Sequence, residues 1–305
     1  MRLLDYILGV TVNRWLPQFE VLLSYNDYEP STRAEKRRMI AQFSRDFGHR
    51  RLRGLRRTEL QQYIYQCVED SPSRAQSMAK LIRQCMHEAV NEGLLDFNPA
   101  DHLKSPKCEV IRQRLSVDAF FELYQRIPDD DYFKRAVKLA ITTGQRRSDI
   151  VKMRFDDIWD GYLHVDQFKE RKRYPSYVEL PLNLRFPLLE QTLVEIIEEC
   201  RDYAKGGEYL LYNSYGRPLL PNTLSVRYRT FRGTRNNGDP SFHELRSLAE
   251  RVYKQHGFDT QTLLGHRSDK QTKIYRDTRG LKEYKRLIIP SGVIYDDQNQ
   301  RRTAG

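Results

Sequence analysis

The chain has 305 residues, and its 52 Lys and Arg against 41 Asp and Glu give a net charge of +11 at pH 7. The length predicts about two domains, and the sequence pI near 9.4 predicts a polyanionic partner, with nucleic acid ahead of an anionic membrane. No apolar run approaches the roughly 20 residues that cross a bilayer, and no signal peptide opens the chain, so we expect a soluble, intracellular protein.

The sequence offers no convincing metal site. The four cysteines are too far apart for a zinc knuckle or a small disulfide scaffold, so we expect reduced thiols at Cys67, Cys85, Cys108 and Cys200. Adjacent acids on a helix point in different directions, so we interpret 129–131 and 156–157 as surface or capping carboxylates rather than Mg²⁺ ligands. We therefore expect no metal and no other cofactor.

Residues 1–108 are predicted to form a bundle of helices. Apolar residues from Val12 to Leu23 have the spacing of an amphipathic helix, and Ser31 is a good N-cap for a second one. Two more predicted helices cover about 58–69 and 73–91.

Positive charge is concentrated between residues 33 and 57, where ten Lys and Arg stand against two acids. This segment is either a nucleic-acid-facing surface or a solvated helix face, and the charge of the whole chain favours the former. A linker follows at 98–114, where Pro99 and Pro106 interrupt helical geometry and Arg114 is among the added cations. The candidate contacts are Arg33, Lys36, Arg37, Arg53, Arg56, Lys104 and Lys107.

The second half of the chain mixes two periodicities. Helices are predicted near 116–127 and 131–143, alternation at 162–166 and 177–179 predicts a short hairpin, and helices resume from about 186. The predicted fold class is therefore mostly α with a small antiparallel β-sheet (α+β).

The stretch from Ser241 to Arg246 suits a phosphate. Ser241 and Glu244 have the spacing of a capping box, so Ser241 is predicted to be the N-cap of a helix, with His243 in its first turn. Arg246 is three residues later on the same face, beside the free N–H groups and positive dipole of the helix N-terminus. The alternative is that both side chains tie down a loop.

Two glycines mark further junctions. Gly265 is predicted to end one helix, and Ser268 with Gln271 to cap the next, which would carry Tyr275. Since the chain has 19 tyrosines, most of which are expected to be core or interface residues, the neighbours of Tyr275 must decide its role.

Gly144 is predicted to break a helix and to present Arg146 at a sharp junction, where Asp149, one helical turn later, orients the guanidinium. The alternative is an ordinary turn between helices, in which Arg146 and Arg147 are interchangeable.

Together these stretches resemble a known family. Arg146 in TGQR, His243 and Arg246 in HELRSL, His266 in LLGH and Tyr275 in YRD follow the order and spacing of tyrosine recombinases, most closely those of lambda-type phage integrases. The likeness runs from about residue 112 to 280 and more loosely through the first domain. It implies a core-type DNA-binding domain at 1–108, a linker to about 114, a catalytic domain at 115–290 and a flexible tail at 291–305.

The resemblance implies roles for the matched residues. Tyr275 would be the nucleophile, Arg146 and Arg246 would clamp the scissile phosphate, His243 would take the tyrosyl proton, and His266 would donate to a non-bridging oxygen. These roles agree with general chemistry, because a phenol titrates near pH 10 and needs a base. Positioned guanidinium and imidazole donors also stabilise the charge that develops on a phosphodiester under attack.

The family also uses a lysine on a β-hairpin to protonate the departing 5′-oxygen. Lys169 is the matching residue, but the run Glu170 to Arg173 makes Lys172 a competitor. The alternative for the whole run is a solvated hairpin tip.

The resemblance further implies site-specific strand exchange without metal or ATP, on double-stranded DNA core sites in the cytoplasm of a bacterial host. A homotetramer on paired sites, DNA-bending accessory proteins and docking of the segment at 287–289 on a neighbouring subunit are expected. An arm-binding N-terminal domain of the lambda type is not found, so the protein is either a simpler recombinase or a truncated form. The competing interpretations are a catalytically silent DNA-binding regulator and a resolvase, telomere-forming enzyme or type IB topoisomerase of the same chemistry.

Overall fold

The computed structural model describes residues 9–107, 113–167, 176–233, 238–266 and 268–276, without the side chains of residues 70, 269, 270 and 276. The chain divides into two compact units, 1–110 and 111–305. The described α-helices of the first unit are α1 (Val12–Ser24), α2 (Pro30–Phe47), α3 (Arg57–Asp70) and α4 (Pro72–Asn91).

The first unit is a helical bundle around an apolar core. The apolar stripe of α1 is buried, and the indole of Trp15 donates a hydrogen bond of 3.2 Å to the carbonyl oxygen of Cys85 on α4. The expectation that Ser31 is an N-cap is wrong, because α2 begins at Pro30, two residues before the predicted start, with Glu29 at the N-cap. Proline fits the first helical position because its missing N–H needs no partner there.

The second unit contains eight described helices and a three-stranded sheet. The helices are α5 (Val117–Arg126), α6 (Tyr132–Thr143), α7 (Arg147–Ile150), α8 (Leu193–Ala204), α9 (Pro221–Arg232), α10 (Glu244–Gln255), α11 (Thr260–Leu263) and α12 (Asp269–Arg276). The strands are β1 (Ile158–Trp159), β2 (Tyr162–Asp166) and β3 (Tyr177–Pro181). The predicted fold class, mostly α with a small antiparallel sheet, is confirmed.

The sheet covers one side of this unit's core. The order is β1-β2-β3 and both pairings are antiparallel, with Leu163 opposite Leu180 and Val165 opposite Val178. These four side chains are buried, as the period-2 alternation requires. After the sheet, helix resumes at α8 rather than near 186, because the intervening chain forms turns closed by a 2.7 Å hydrogen bond from Leu193 N to Leu184 O.

Helix α6 crosses the centre of the second unit. It packs against α8 and α10, and its side chains from Phe133 to Thr143 are buried on nearly every face. The predicted break is confirmed, since Gly144 has φ +64° and caps α6 in the left-handed conformation. A β-carbon at this position would also lie 3.2 Å from the side chain of Leu264.

Candidate active site

Arg146 follows directly from the end of α6. It is the N-cap residue of α7, with a side chain that is 12 % exposed. Its Nη1 donates to Oε1 of Gln167 at 2.8 Å and lies 3.9 Å from Oδ2 of Asp149. Arg147 is exposed instead and donates to the hydroxyl of Ser225, so the two arginines are not interchangeable.

The start of α10 differs from the prediction. The helix begins at Glu244, and His243 occupies the N-cap position with αR dihedral angles and no side-chain capping bond. Ser241 is therefore not the N-cap, although its carbonyl oxygen accepts a 2.8 Å hydrogen bond from Glu244 N. The carboxylate of Glu244 does not complete a capping box, because it is paired with Arg114 at 3.1 Å.

Arg246 is buried on the same end of α10, with 1 % of its surface exposed. Its guanidinium donates at 2.7 Å to the carbonyl oxygens of Gly144 and Leu264. Burial, and after it the charge of Arg146, lowers the pKa of Arg246 to about 10, so the side chain stays cationic at neutral pH. The cation is thus held in place before any phosphate arrives.

His266 lies in the turn that follows α11. Gly265, with φ +61°, makes this turn, and Nε2 of His266 lies 3.0 Å from Nη2 of Arg246. Arginine can only donate, so Nε2 accepts, and Nδ1 carries the proton that it donates to Oγ1 of Thr272 at 3.0 Å. Burial, with the charges of Arg246 and Arg146, lowers the pKa of His266 to about 3, so the ring is neutral.

Tyr275 lies on α12, which begins directly after Ser268 as predicted. Its hydroxyl is 3.3 Å from Nε2 of His243. Its ring centroid is 5.2 Å from that of His266, and the guanidinium carbon of Arg246 is 5.4 Å from it. The structure therefore brings Tyr275, His243, Arg246 and His266 into contact, with Arg146 two residues from the carbonyl that holds Arg246.

A pair of buried amides joins the two sides of this cluster. Nε2 of Gln167 donates to Oε1 of Gln145 and to the carbonyl oxygen of Leu264, both at 2.8 Å. Nε2 of Gln145 donates in turn to the carbonyl oxygen of Leu263 at 2.8 Å. Neither glutamine was predicted to belong to the site, although Gln145 stands within the TGQR run.

Arg114, Glu244 and Thr272 were also missed as members of the site. Arg114 was expected to add to the DNA-facing charge of the linker, and that expectation is wrong because its side chain is buried and paired with Glu244. Its only signal in the sequence was a positive charge, which is more often exposed. Thr272 differs in no local feature from other helical threonines.

The remaining predicted residues are not among the described members of this cluster. Lys169, Lys172 and the segment 277–305 lie outside the described residues. In the first unit, Lys36 is half-buried and bonded to Oε1 of Gln84 at 3.0 Å. The other six candidate DNA contacts there are exposed, namely Arg33, Arg37, Arg53, Arg56, Lys104 and Lys107.

Of the five carboxylates that were interpreted as surface or capping groups, Asp131 and Asp157 cap, and Asp129, Asp130 and Asp156 are exposed. Oδ1 of Asp131 accepts from Phe133 N at 2.8 Å at the start of α6, and Oδ2 of Asp157 accepts from Arg154 N at 2.8 Å. Within the described ranges, no group of three or more His, Cys, Asp or Glu side chains is arranged to hold a metal ion. None of the described helices is both long and apolar enough to cross a membrane.

Two guanidinium groups, two imidazoles and one phenol are the groups that an enzyme needs if it transfers a phosphoryl group through a tyrosine. Comparison with known proteins agrees with this class of enzyme. The profile of the phage integrase family matches residues 113–280. The integrase of Enterobacteria phage P21 is 34% identical over 293 residues, which cover 89% of this chain and 75% of that protein.

Solved structures of lambda integrase are similar over both units. A dimer bound to a COC′ core site and a tetramer bound to a Holliday junction each give a TM-score of 0.84 at 29% identity, covering 92% of this chain and 81% of theirs. The chain belongs to the phage integrase family, and it is an enzyme of the tyrosine site-specific recombinase class.

Proposed function

We propose that this chain cuts and rejoins double-stranded DNA at specific core sites, with Tyr275 as the nucleophile that forms a 3′-phosphotyrosyl intermediate. The observation that carries the proposal is the 3.3 Å contact between the Tyr275 hydroxyl and Nε2 of His243, beside two arginines and a second histidine. A tyrosine that only packs against its neighbours would need no arginines or histidines beside it.

In the first step, the Tyr275 oxygen attacks phosphorus and the bond from phosphorus to the 5′-oxygen breaks. His243 is within reach of the phenolic proton and accepts it as general base. The phosphodiester linkage is retained in the tyrosyl ester, so a 5′-hydroxyl from another strand can attack it without ATP. That second attack reverses the roles and returns the proton to Tyr275.

Arg146 and Arg246 stabilise the phosphate while it is attacked. The charge grows on the non-bridging oxygens, and donors fixed in advance lower the barrier because they need no reorganisation. Backbone carbonyls hold Arg246 on two sides, and the amide of Gln167 holds Arg146. In the phage integrase family this clamp supports strand transfer without a metal ion or another cofactor, and we assign the same role here.

His266, beside Arg246, supports the same phosphate. Its Nε2 accepts from Arg246 in the DNA-free protein. A bound phosphate adds negative charge beside the ring, which raises its proton affinity. Donation from His266 to a non-bridging oxygen therefore develops with the substrate.

A lysine from the sequence between β2 and β3 completes the set by protonating the departing 5′-oxygen. Lys169 is our first assignment and Lys172 the alternative. Gln167, two residues before Lys169 in the sequence, belongs to the site through Arg146, which supports the choice of a lysine from this part of the chain.

We assign residues 1–108, with a linker to about 114, to core-site DNA binding and residues 115–290 to catalysis. The lambda integrase dimer on a core site and the tetramer on a Holliday junction support DNA and a homotetramer as partners. DNA-bending accessory proteins and the cytoplasm of a bacterial host belong to the same proposal. The proposed DNA contacts are Arg33, Lys36, Arg37, Arg53, Arg56, Lys104 and Lys107.

The test is covalent capture. The purified chain selects its core site from a random-sequence duplex library, and that site is rebuilt as a nicked suicide duplex for denaturing electrophoresis. We expect a protein–DNA adduct that Tyr275→Phe abolishes. Tyr215→Phe is the matched control, because Tyr215 is 86% exposed and outside the cluster, and its adduct should equal that of the wild type.

Two outcomes would contradict the proposal. An adduct that survives Tyr275→Phe would move the nucleophile elsewhere, and no adduct on the selected site would indicate a silent DNA-binding protein. Affinity provides a second measurement, since about six to ten phosphate contacts predict a loss of about 10³- to 10⁵-fold between roughly 50 and 200 mM salt.

A further inference from the structure

Arg114 joins the two segments that carry the proposed nucleophile and its base. It lies just before α5, and 7% of its surface is exposed. Nη1 donates to both carboxylate oxygens of Glu244, at 3.2 and 3.1 Å, and Nη2 donates to the carbonyl oxygen of Ile274. One side chain therefore binds the residue after His243 and the residue before Tyr275.

The bond to Ile274 ties α12 to the rest of the second unit. The described part of this helix, Asp269–Arg276, is short, and a short helix is stabilised mainly by its tertiary contacts. Arg114 supplies one such contact at the carbonyl oxygen of Ile274. The Ser247 hydroxyl supplies another, because it donates to the carbonyl oxygen of Tyr275 at 3.0 Å.

We infer that Arg114 is a positioning residue for the nucleophile: by binding the carbonyl oxygen of Ile274 while it is paired with Glu244, it sets the distance between the Tyr275 oxygen and Nε2 of His243. This inference rests on the proposed function. Arg114 binds the Glu244 carboxylate and the Ile274 carbonyl, so it acts through the two segments that it joins. Glu244 takes part by holding the guanidinium at the start of α10.

The role of Arg114 differs from that of Gln167, and chemistry can separate the two. Gln167 holds Arg146 and so affects any attack on the phosphate, whatever the nucleophile. Arg114 should affect only attack by the tyrosine. A small nucleophile that replaces the phenol distinguishes the two roles, because it needs the phosphate clamp but not the position of α12.

The experiment compares two reactions on the nicked suicide duplex at saturating protein. The first is adduct formation by the wild type and by Arg114→Lys, which keeps the cation but lacks the fork that spans Glu244 and Ile274. The second is cleavage driven by hydrogen peroxide in Tyr275→Phe and in Arg114→Lys/Tyr275→Phe. There the hydroperoxide oxygen forms the new bond to phosphorus, and the 5′-oxygen leaves with a proton.

We expect Arg114→Lys to slow adduct formation about 10- to 100-fold, the loss typical of a misplaced reacting group. Peroxide cleavage should differ by less than about twofold between the two Tyr275→Phe backgrounds. Gln167→Leu is the matched control and should slow both reactions. If Arg114→Lys folds poorly, as shown by its melting temperature, Arg114→Met/Glu244→Gln removes both charges together and leaves no buried ion unpaired.

An equal loss in both reactions would overturn the inference, because Arg114 would then support the phosphate clamp or the fold as a whole. An adduct rate equal to that of the wild type would overturn it as well. Absence of adduct from the wild type on the same DNA has a different meaning, since it refutes the proposed function itself.

Discussion

The two buried amides of Gln145 and Gln167 allow a quantitative test of how the site is built. Gln167 is fully buried and Gln145 is 2% exposed. Gln167 donates to Gln145 and Leu264 and accepts from Arg146. Replacing either amide by leucine keeps much of the side-chain volume but removes the bonds between them. The double variant should therefore lose less stability than the sum of the losses of the two single variants.

The magnitudes follow from the bonds that each change removes. Gln167→Leu leaves Oε1 of Gln145 buried without the donor at 2.8 Å, which costs about 1–3 kcal/mol. It also removes an acceptor from Arg146, worth about 1.5–3 kcal/mol for a charged group. Gln145→Leu should cost about 1–3 kcal/mol. In the double variant the stranded oxygen no longer exists, so the total should fall short of the sum by about 1–2 kcal/mol.

Urea unfolding of the full chain measures these free energies. Trp159 lies in the second unit and stacks on His164 at 3.5 Å between ring centroids, so its fluorescence in a Trp15→Phe background reports on that unit. If the free-energy cost of the double variant equals the sum of the two single costs to within about 0.5 kcal/mol, the amides do not act as a pair and the reasoning is refuted.

Three further predictions concern stability. His266 has a lowered pKa of about 3, so the unfolded chain binds the extra proton below about pH 6.5 and stability falls as the pH falls. His266→Asn should reduce the pH dependence of the free energy of unfolding by up to about 1.4 kcal/mol per pH unit. Urea unfolding between about pH 7 and pH 4 measures this dependence, and an unchanged dependence would contradict the burial of a neutral ring. Gly265→Ala should lower the melting temperature more than Gly257→Ala does. Both glycines have positive φ, but a β-carbon at Gly265 would lie 2.6 Å from a buried amide nitrogen, whereas Gly257 faces open space. Equal melting temperatures would show that the turn relaxes. Lys134→Met should lower the free energy of unfolding in urea by about 2 kcal/mol, because the buried ammonium donates at 2.7 and 2.9 Å to two carbonyl oxygens at the end of α5. An unchanged free energy of unfolding would mean that water replaces the ammonium as donor.

Local rules in the sequence predicted much of the site. Glycine in the left-handed conformation ends α6 at Gly144, and a serine followed by helix-forming residues marks the start of α12 after Ser268. These signals depend on residues within one or two turns of each other, so they can be interpreted without knowledge of the fold. The same rules failed at Ser241, where the capping spacing was present but the helix begins at Glu244.

The failure at Ser241 has a tertiary cause. A capping box needs the carboxylate of Glu244 to turn back to the chain before it, and here that carboxylate binds Arg114, which is remote in sequence. Arg114 itself looked like one more surface cation of a basic linker. Only folding buries it and pairs it.

The sequence by itself determined which residues are available for the chemistry: Arg146, His243, Arg246, His266 and Tyr275, in the order and spacing of a tyrosine recombinase. Tertiary structure alone decided which neighbours hold them, through Arg114, Gln145, Gln167 and Thr272. The physical reason is that a hydrogen bond in a buried site depends on distance in space, and the bonds that hold Arg146 and Tyr275 join residues far apart in the chain.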